Sequence, residues 1–343
     1  MKRIVPYRWL RILIWALLIL AIIWTVIWIA ASRWLDNKVV DITTSLNDRG
    51  TAIECANRNV SGFPFSMKLN CDQVSIVTVR GTERVDVGAL STGAHILSPD
   101  VITMQIKSPL LTYVGGKEFR AEWSRLLTKV DASIQGGFDE FETRGSHLSL
   151  SRDGIKATAK SFLTRLRPVH WTKKSEAGNS SLSFQLSTKQ FGLQSATGNE
   201  IPPVAIRGVA VLKDGYLDLI QRGLSLQTVM SDGANIRLAN LIVSLEGGGH
   251  LGFSGPIQVS KNGLITGKVR MGIAEPKAIG EWASRIDPTF EQAVAGLAQA
   301  TAGMGKTSKL GGHEMKTISV TIKRGEVRLG FIKLGEIPPL KFD

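Results

Sequence analysis

The residues of this chain that bear most directly on chemistry are two cysteines, five histidines and one string resembling a phosphate loop. Cys55 and Cys71 each sit in a stretch where apolar and polar residues alternate, and Gly62-Phe63-Pro64 between them reads as a turn. Outside a reducing cytosol such a pair closes a disulfide across a hairpin. A bridge over a loop of this size stabilises by about 3 kcal/mol in the chain-entropy account. Redox-active pairs use C-x-x-C spacing, which is absent, and free or metal-binding thiols are the alternatives to a structural bridge.

The string Ala300-x-x-x-x-Gly305-Lys306-Thr307 matches a relaxed P-loop pattern. A phosphate cradle needs a strand before the loop and a helix after it, so that amides and helix dipole converge on the anion. Here the pattern predicts a helix before and a strand after, so nucleotide binding is not expected. The histidines (His95, His147, His170, His250, His313) are scattered, with no H-E-x-x-H and no cysteine partner. Metal catalysis therefore has no sequence support. There is no G-x-S-x-G elbow, so a hydrolase would require a triad assembled by the fold alone. Gly247-Gly248-Gly249 reads as a bulge or turn rather than a ligand cradle. No catalytic residue, metal or cofactor is assigned.

The elements that must position these residues begin with an anchor. Ile12 to Ala31 carries no charge. At 1.5 Å per residue, twenty helical residues cover about 30 Å, the thickness of a hydrocarbon core. Trp9 and Trp34 stand just outside its ends, where indoles favour the interface. Lys2, Arg3, Arg8 and Arg11 precede it, whereas Arg33 and Lys38 beyond it are balanced by Asp36 and Asp41. That asymmetry places residues 1–11 in the cytoplasm and the remainder across the membrane. A cleaved signal peptide has a shorter apolar region, and this one holds three Trp residues before the small Ala30-Ala31-Ser32 exit. Retention is the expectation, and no cysteine follows closely enough for a lipoprotein.

From residue 32 to 50 helical spacing continues through Leu35, Val39, Ile42 and Leu46, with Gly50 as a C-cap, as a juxtamembrane extension of the anchor. After Gly50 the period becomes two, as in Met67-Leu69-Cys71, Leu182-Phe184-Leu186, Leu241-Val243-Leu245 and Ile318-Val320-Ile322. Asp153-Gly154, Asp214-Gly215, Asp232-Gly233, Asn262-Gly263 and Arg324-Gly325 supply hairpin turns. The expected fold is mainly β, a long twisted antiparallel sheet forming a curved groove or a sandwich over residues 51–343. A division near 173–179 is a candidate boundary. Residues 276–304 read as a helical insert, split at Pro288, that covers a sheet face or closes one end of a groove. Gly303 to Gly312 reads as a flexible link.

The formal charge of +13 is partly spent on the anchor's flanks, and the remainder is spread over a long chain. It suggests mild attraction to anionic lipid surfaces. No dense basic stripe with interleaved aromatics is present, so nucleic acid is not an expected partner.

The anchor, the cysteines around Val60-Ser61-Gly62-Phe63-Pro64-Phe65, and the ending Gly325-Glu326-Val327-Arg328-Leu329-Gly330 … Leu334-Gly335 … Pro338-Pro339-Leu340 together resemble a bacterial family known as domain of unknown function 2125. More distantly, the G-F-P-F turn and Gly-rich closing hairpin look like AsmA-like envelope proteins. The resemblance implies a Gram-negative periplasm and no established enzyme activity. It carries over no functional residue.

The expected function is that of an inner-membrane-anchored periplasmic protein which binds lipid or other amphipathic envelope molecules, or scaffolds envelope proteins that do. The alternatives are a structural component whose apolar strand faces simply form a core, and a hydrolase of envelope polymers.

Overall fold

A computed structural model describes residues 7–48, 51–78, 83–114, 116–133, 137–169, 181–213 and 233–340. Lys2, Arg3, Gly50, the Asp214-Gly215 turn and the 173–179 stretch lie outside the described residues. Contacts divide the chain into two compact units, Met1–Glu118 and Phe119–Asp343.

The first unit opens with helix α1 (Tyr7–Asp48). It has 42 residues, about 63 Å at the ordinary helical rise. The juxtamembrane stretch is not a separate element, because no Gly or Pro between Ser32 and Asp48 interrupts the backbone ladder. Among the described residues α1 is the one helix long and apolar enough to cross a membrane, and none of its most apolar window is buried by protein.

Eight strands follow: β1 (Thr51–Ala56), β2 (Asn59–Ser61), β3 (Ser66–Cys71), β4 (Gln73–Thr78), β5 (Glu83–Val87), β6 (Leu90–His95), β7 (Ser98–Ile106) and β8 (Leu110–Val114). Their pairing makes them four long antiparallel arms, each broken once. The arm β1-β2 lies on β3-β4. That arm lies on β5-β6, which in turn lies on β7-β8. Consequently the turns 62–65 and 96–97 fall at the same end of the meander.

The second unit is a longer antiparallel meander. It contains all but the first two residues of β9 (Lys117–Glu122), then β10 (Arg125–Ala132), β11 (Phe138–Arg152), β12 (Ile155–Val169), β13 (Ser181–Gln194), β14 (Glu200–Leu212), β15 (Ala234–Leu245), β16 (His250–Val259) and β17 (Ile265–Ala274). From β10 onward each strand pairs with the next. Two helices intervene, α2 (Pro276–Ser284) and α3 (Thr289–Met304). Then β18 (Lys306–Leu310), β19 (His313–Lys323), β20 (Glu326–Leu329) and β21 (Ile332–Glu336) complete the unit, with β19 joining β17. The architecture is mainly β and antiparallel, as the alternating pattern predicts.

Asp153 and Gly154 turn β11 into β12 with φ of 51° and 79°, the left-handed pair that a tight two-residue hairpin requires. The stretch Gly303 to Gly312, expected as a flexible link, is instead ordered. It comprises the end of α3, the strand β18, and a turn in which Gly311 and Gly312 take φ of 57° and 92°. Gly311 and Gly312 serve a hairpin turn, Gly303 lies in α3 and Gly305 caps it, and β18 pairs with β19 along its whole length.

Candidate functional site

The pairing register decides which alternating faces of the second unit come together. Leu241 stands opposite Phe253, and Phe253 opposite Met271. Val269 stands opposite Val320, and Ile322 opposite Val327. Side chains two apart share a face, so β15, β16, β17 and β19 pool their apolar positions on one side of the sheet. Towards one end of that face α2 packs Ile279 and Trp282 against Val204, Leu245, Ile273 and their neighbours. The Trp282 indole N–H donates to the Pro202 carbonyl at 3.3 Å, fixing the ring there.

Beyond the helix the same face forms a groove of about 370 Å³. Leu241, Phe253 and Met271 form part of its floor, and Leu334 and Ile337 stand on its far wall. Every residue lining it is apolar. At the β20–β21 turn beside it, Phe331 is fully exposed. The volume falls at the lower end of the range for small-molecule sites, and the lining suits hydrocarbon rather than polar substrates.

The opposite face is closed. Ile242, Leu310 and Met315 cluster there, with the β18–β19 hairpin laid over the sheet. Two of the scattered histidines meet on this side: the rings of His250 and His313 have centroids 4.0 Å apart, and His250 Nδ1 lies 3.0 Å from Ser244 Oγ. Burial lowers the His250 pKa, and the neighbouring His313 lowers it further, against a smaller opposing pull from Glu275. Among the described residues no group of three or more His, Cys, Asp or Glu side chains could hold a metal.

A charge ladder crosses β11 and β12. Glu142 is buried and receives hydrogen bonds from Arg144 and Arg165, while Glu140 pairs with Arg165 and Arg167. Burial raises the Glu142 pKa, but the combined hydrogen bonds and charges of Arg144 and Arg165 outweigh it and hold the carboxyl below the usual range. Every group in this ladder is paired within the sheet, which suits cross-strand registration.

The Lys306-Thr307 string lies after a helix and inside a strand. It lacks the loop and following helix that would converge on a phosphate.

In the first unit the two cysteines are bonded, with Cα atoms 5.3 Å apart, and tie β1 to the end of β3. Arg8, Arg11, Ile12 and Ala31 all fall within α1. The turn Gly62-Phe63-Pro64-Phe65 rests on α1 itself. Trp24 Nε1–H donates to the Pro64 carbonyl at 3.1 Å, and Trp28 Nε1–H donates to the Ser66 carbonyl at 3.2 Å. The rings of Trp28 and Phe63 meet edge to face, 5.5 Å between centroids.

Sequence reading located two of the groove's strands, the closing hairpin and the helical insert, but not β16 or β17 and not the lining as a set. The signal that existed was the alternation in Leu241-Val243-Leu245 and Ile318-Val320-Ile322. What it lacked was the pairing that puts β19 beside β17 across two intervening helices.

No curated protein and no solved structure matches this chain. A family profile described as an uncharacterized protein conserved in bacteria (DUF2125) matches residues 28–338. That match spans the second half of α1, both β meanders and the closing hairpin, so the chain belongs to the DUF2125 family of bacterial proteins.

Proposed function

We propose that this protein is held in the bacterial inner membrane by α1 and that its second unit binds the hydrocarbon part of a lipid or other amphipathic envelope molecule. The groove of Leu241, Phe253, Met271, Leu334 and Ile337 carries the reading. An apolar concavity of about 370 Å³ at a sheet surface is costly to leave in water, and an acyl chain removes that cost. The positive flank, Lys2, Arg3, Arg8 and Arg11, supports a cytoplasmic N-terminus. The Cys55–Cys71 bond fits an oxidising compartment such as the periplasm for the β-rich part.

Photo-crosslinking tests this directly. The full chain is reconstituted in phosphatidylethanolamine and phosphatidylglycerol vesicles containing a trace of diazirine-tailed phospholipid. Adducts on α1 peptides report the anchor, and adducts on β15–β17 peptides report the groove. Met271→Trp, which fills the groove while keeping it apolar, is expected to abolish the second set and leave the first. Absence of β15–β17 adducts in the unaltered chain would sink the lipid-binding reading and favour a scaffold role.

A further inference from the structure

The first unit carries a second apolar surface, separate from the groove, at the end of its meander where two turns lie side by side. Phe63 is 50% exposed, Phe65 61% and Leu97 82%. The turns are coupled: the Ile96 N–H donates to the Phe65 carbonyl at 2.8 Å, and the Phe65 ring stacks on His95. No acidic or basic residue occurs from Asn59 to Met67, nor any Asp, Glu, Lys or Arg from Leu90 to Pro99.

The position of this tip along α1 decides what covers it. Its hydrogen bonds reach Trp24 and Trp28, both inside the apolar stretch Ile12–Ala31. Trp24 lies about 10 Å inside the Ala31 end of that stretch at the helical rise. Holding the tip in water would end the hydrocarbon span before Trp24, leaving only Ile12 to Ile23. That is about 18 Å, against a core of about 30 Å. Sliding the span towards the N-terminus to compensate would draw Arg11 and Arg8 into hydrocarbon, at about 2.5–3.5 kcal/mol each near the centre. Both remedies are worse than immersing three apolar side chains.

Several backbone groups and one hydroxyl of the tip have partners inside the protein. Gly62 O accepts from the Ser66 N–H and from Ser66 Oγ–H. Pro64 O and Ser66 O accept from the two indoles. Phe65 O accepts from Ile96, and the Leu97 N–H donates to His95 Nδ1 at 3.2 Å. Backbone groups in lipid need such internal partners. The charges nearest in sequence, Lys68 and Asp100, lie outside the two turns, and farther along Arg58 pairs with Asp36 at 2.7 Å, with Asp36 about 7.5 Å beyond Ala31.

We infer that the paired turns Gly62–Phe65 and Ile96–Leu97 are a membrane wedge. They insert beside α1 into the leaflet at its C-terminal end, with Phe63, Phe65 and Leu97 in contact with phospholipid acyl chains. The protein thus holds the bilayer through a helix and a hairpin tip together, and displaces lipid around Trp24. The inference rests on α1 spanning the membrane.

Spin-label accessibility in the full chain tests it. Phe65→Cys, Leu97→Cys, Ile19→Cys and Glu83→Cys are each labelled with a nitroxide and reconstituted in phosphatidylethanolamine and phosphatidylglycerol vesicles. Ile19 reports the span itself, and Glu83, at the edge of β5, reports water. The expected result at Phe65 and Leu97 is near-complete loss of relaxation by a water-soluble nickel chelate with strong relaxation by oxygen, as at Ile19. Nickel access at both tip positions with none at Ile19 overturns the wedge and leaves the anchor standing. Nickel access at Ile19 overturns both.

Discussion

The indole of Trp24, in the apolar half of α1, donates its N–H to the carbonyl of Pro64 at the tip of the first hairpin, 3.1 Å away. A proline carbonyl at a turn has no strand partner, so this indole is what satisfies it. Trp24→Phe keeps the ring and removes the donor. It is expected to weaken the hairpin's hold on α1 by about 1 kcal/mol, in line with polar contacts at membrane depth. Faster amide exchange at Ser66 in the reconstituted chain is the measurement, and unchanged exchange would contradict it.

The Cys55–Cys71 bond ties the first arm of the same meander to the second. Its sequence separation of 16 corresponds to about 3 kcal/mol of chain entropy removed from the unfolded state. Replacing both cysteines by serine should lower the stability of the first unit by about that much. Chemical denaturation followed by limited proteolysis reads it, and the same loss should follow reduction of the unaltered chain.

Gly252 faces the closed side of the second sheet. A Cβ there would stand 2.6 Å from Leu310 Cδ2 and 2.8 Å from Met315 Sδ. Gly252→Ala therefore makes the ends of the buried Leu310 and Met315 side chains of the β18–β19 hairpin shift, at a cost of about 1 kcal/mol, the low end for overpacking. Thermal unfolding is expected to shift down. An unchanged midpoint would mean that these side chains re-orient without cost and would contradict the expected overpacking.

The same hairpin should respond to acid through His250. Its folded pKa is depressed below the ordinary 6.5, by burial first and then by His313. The unfolded chain thus binds a proton that the folded chain refuses. Stability is full above about 6.5 and declines as pH falls through that value towards the folded one. His250→Gln should flatten the difference in unfolding midpoint between pH 7.5 and 5.5. A variant that loses as much as the parent over this interval would refute the assignment.

Glu142 acts lower on the scale. Its carboxyl is held below the ordinary 4.5 because Arg144 and Arg165 together outweigh the burial that would raise it. Its contribution is present above the unfolded value and is lost as pH falls through the folded one. Glu142→Gln is expected to be less stable than the parent at pH 7. The gap should narrow as pH falls from the unfolded value of 4.5 and close below the folded one, where both chains carry a neutral side chain at that position. A gap that persists at low pH would assign the loss to packing instead of charge.

Several of these features were legible before any folding was considered. The run Ile12–Ala31 declares a helix long and apolar enough to cross a membrane, because it holds twenty uncharged residues of which Thr25 alone is polar. Period-two alternation declares strands, and Pro288 declares the break between α2 and α3 because it has no N–H to donate. The Gly303–Gly312 stretch was misread because glycine marks both flexible links and tight turns, and only pairing with β19 separates them.

What the sequence by itself determined is thus local: a helix long and apolar enough to cross a membrane, its flanking charge, several of the strands, and the two cysteines either side of a turn. The tertiary structure alone decided which faces meet. Alternation says that Met271 and Val320 each face one side of a strand, but not that β17 and β19 become neighbours and pool them in one groove. Nor does any local pattern place Pro64 on Trp24, forty positions earlier in the chain. Side-chain periodicity is a property of single strands and helices. A site made from several of them depends on long-range register, which short-range sequence does not encode.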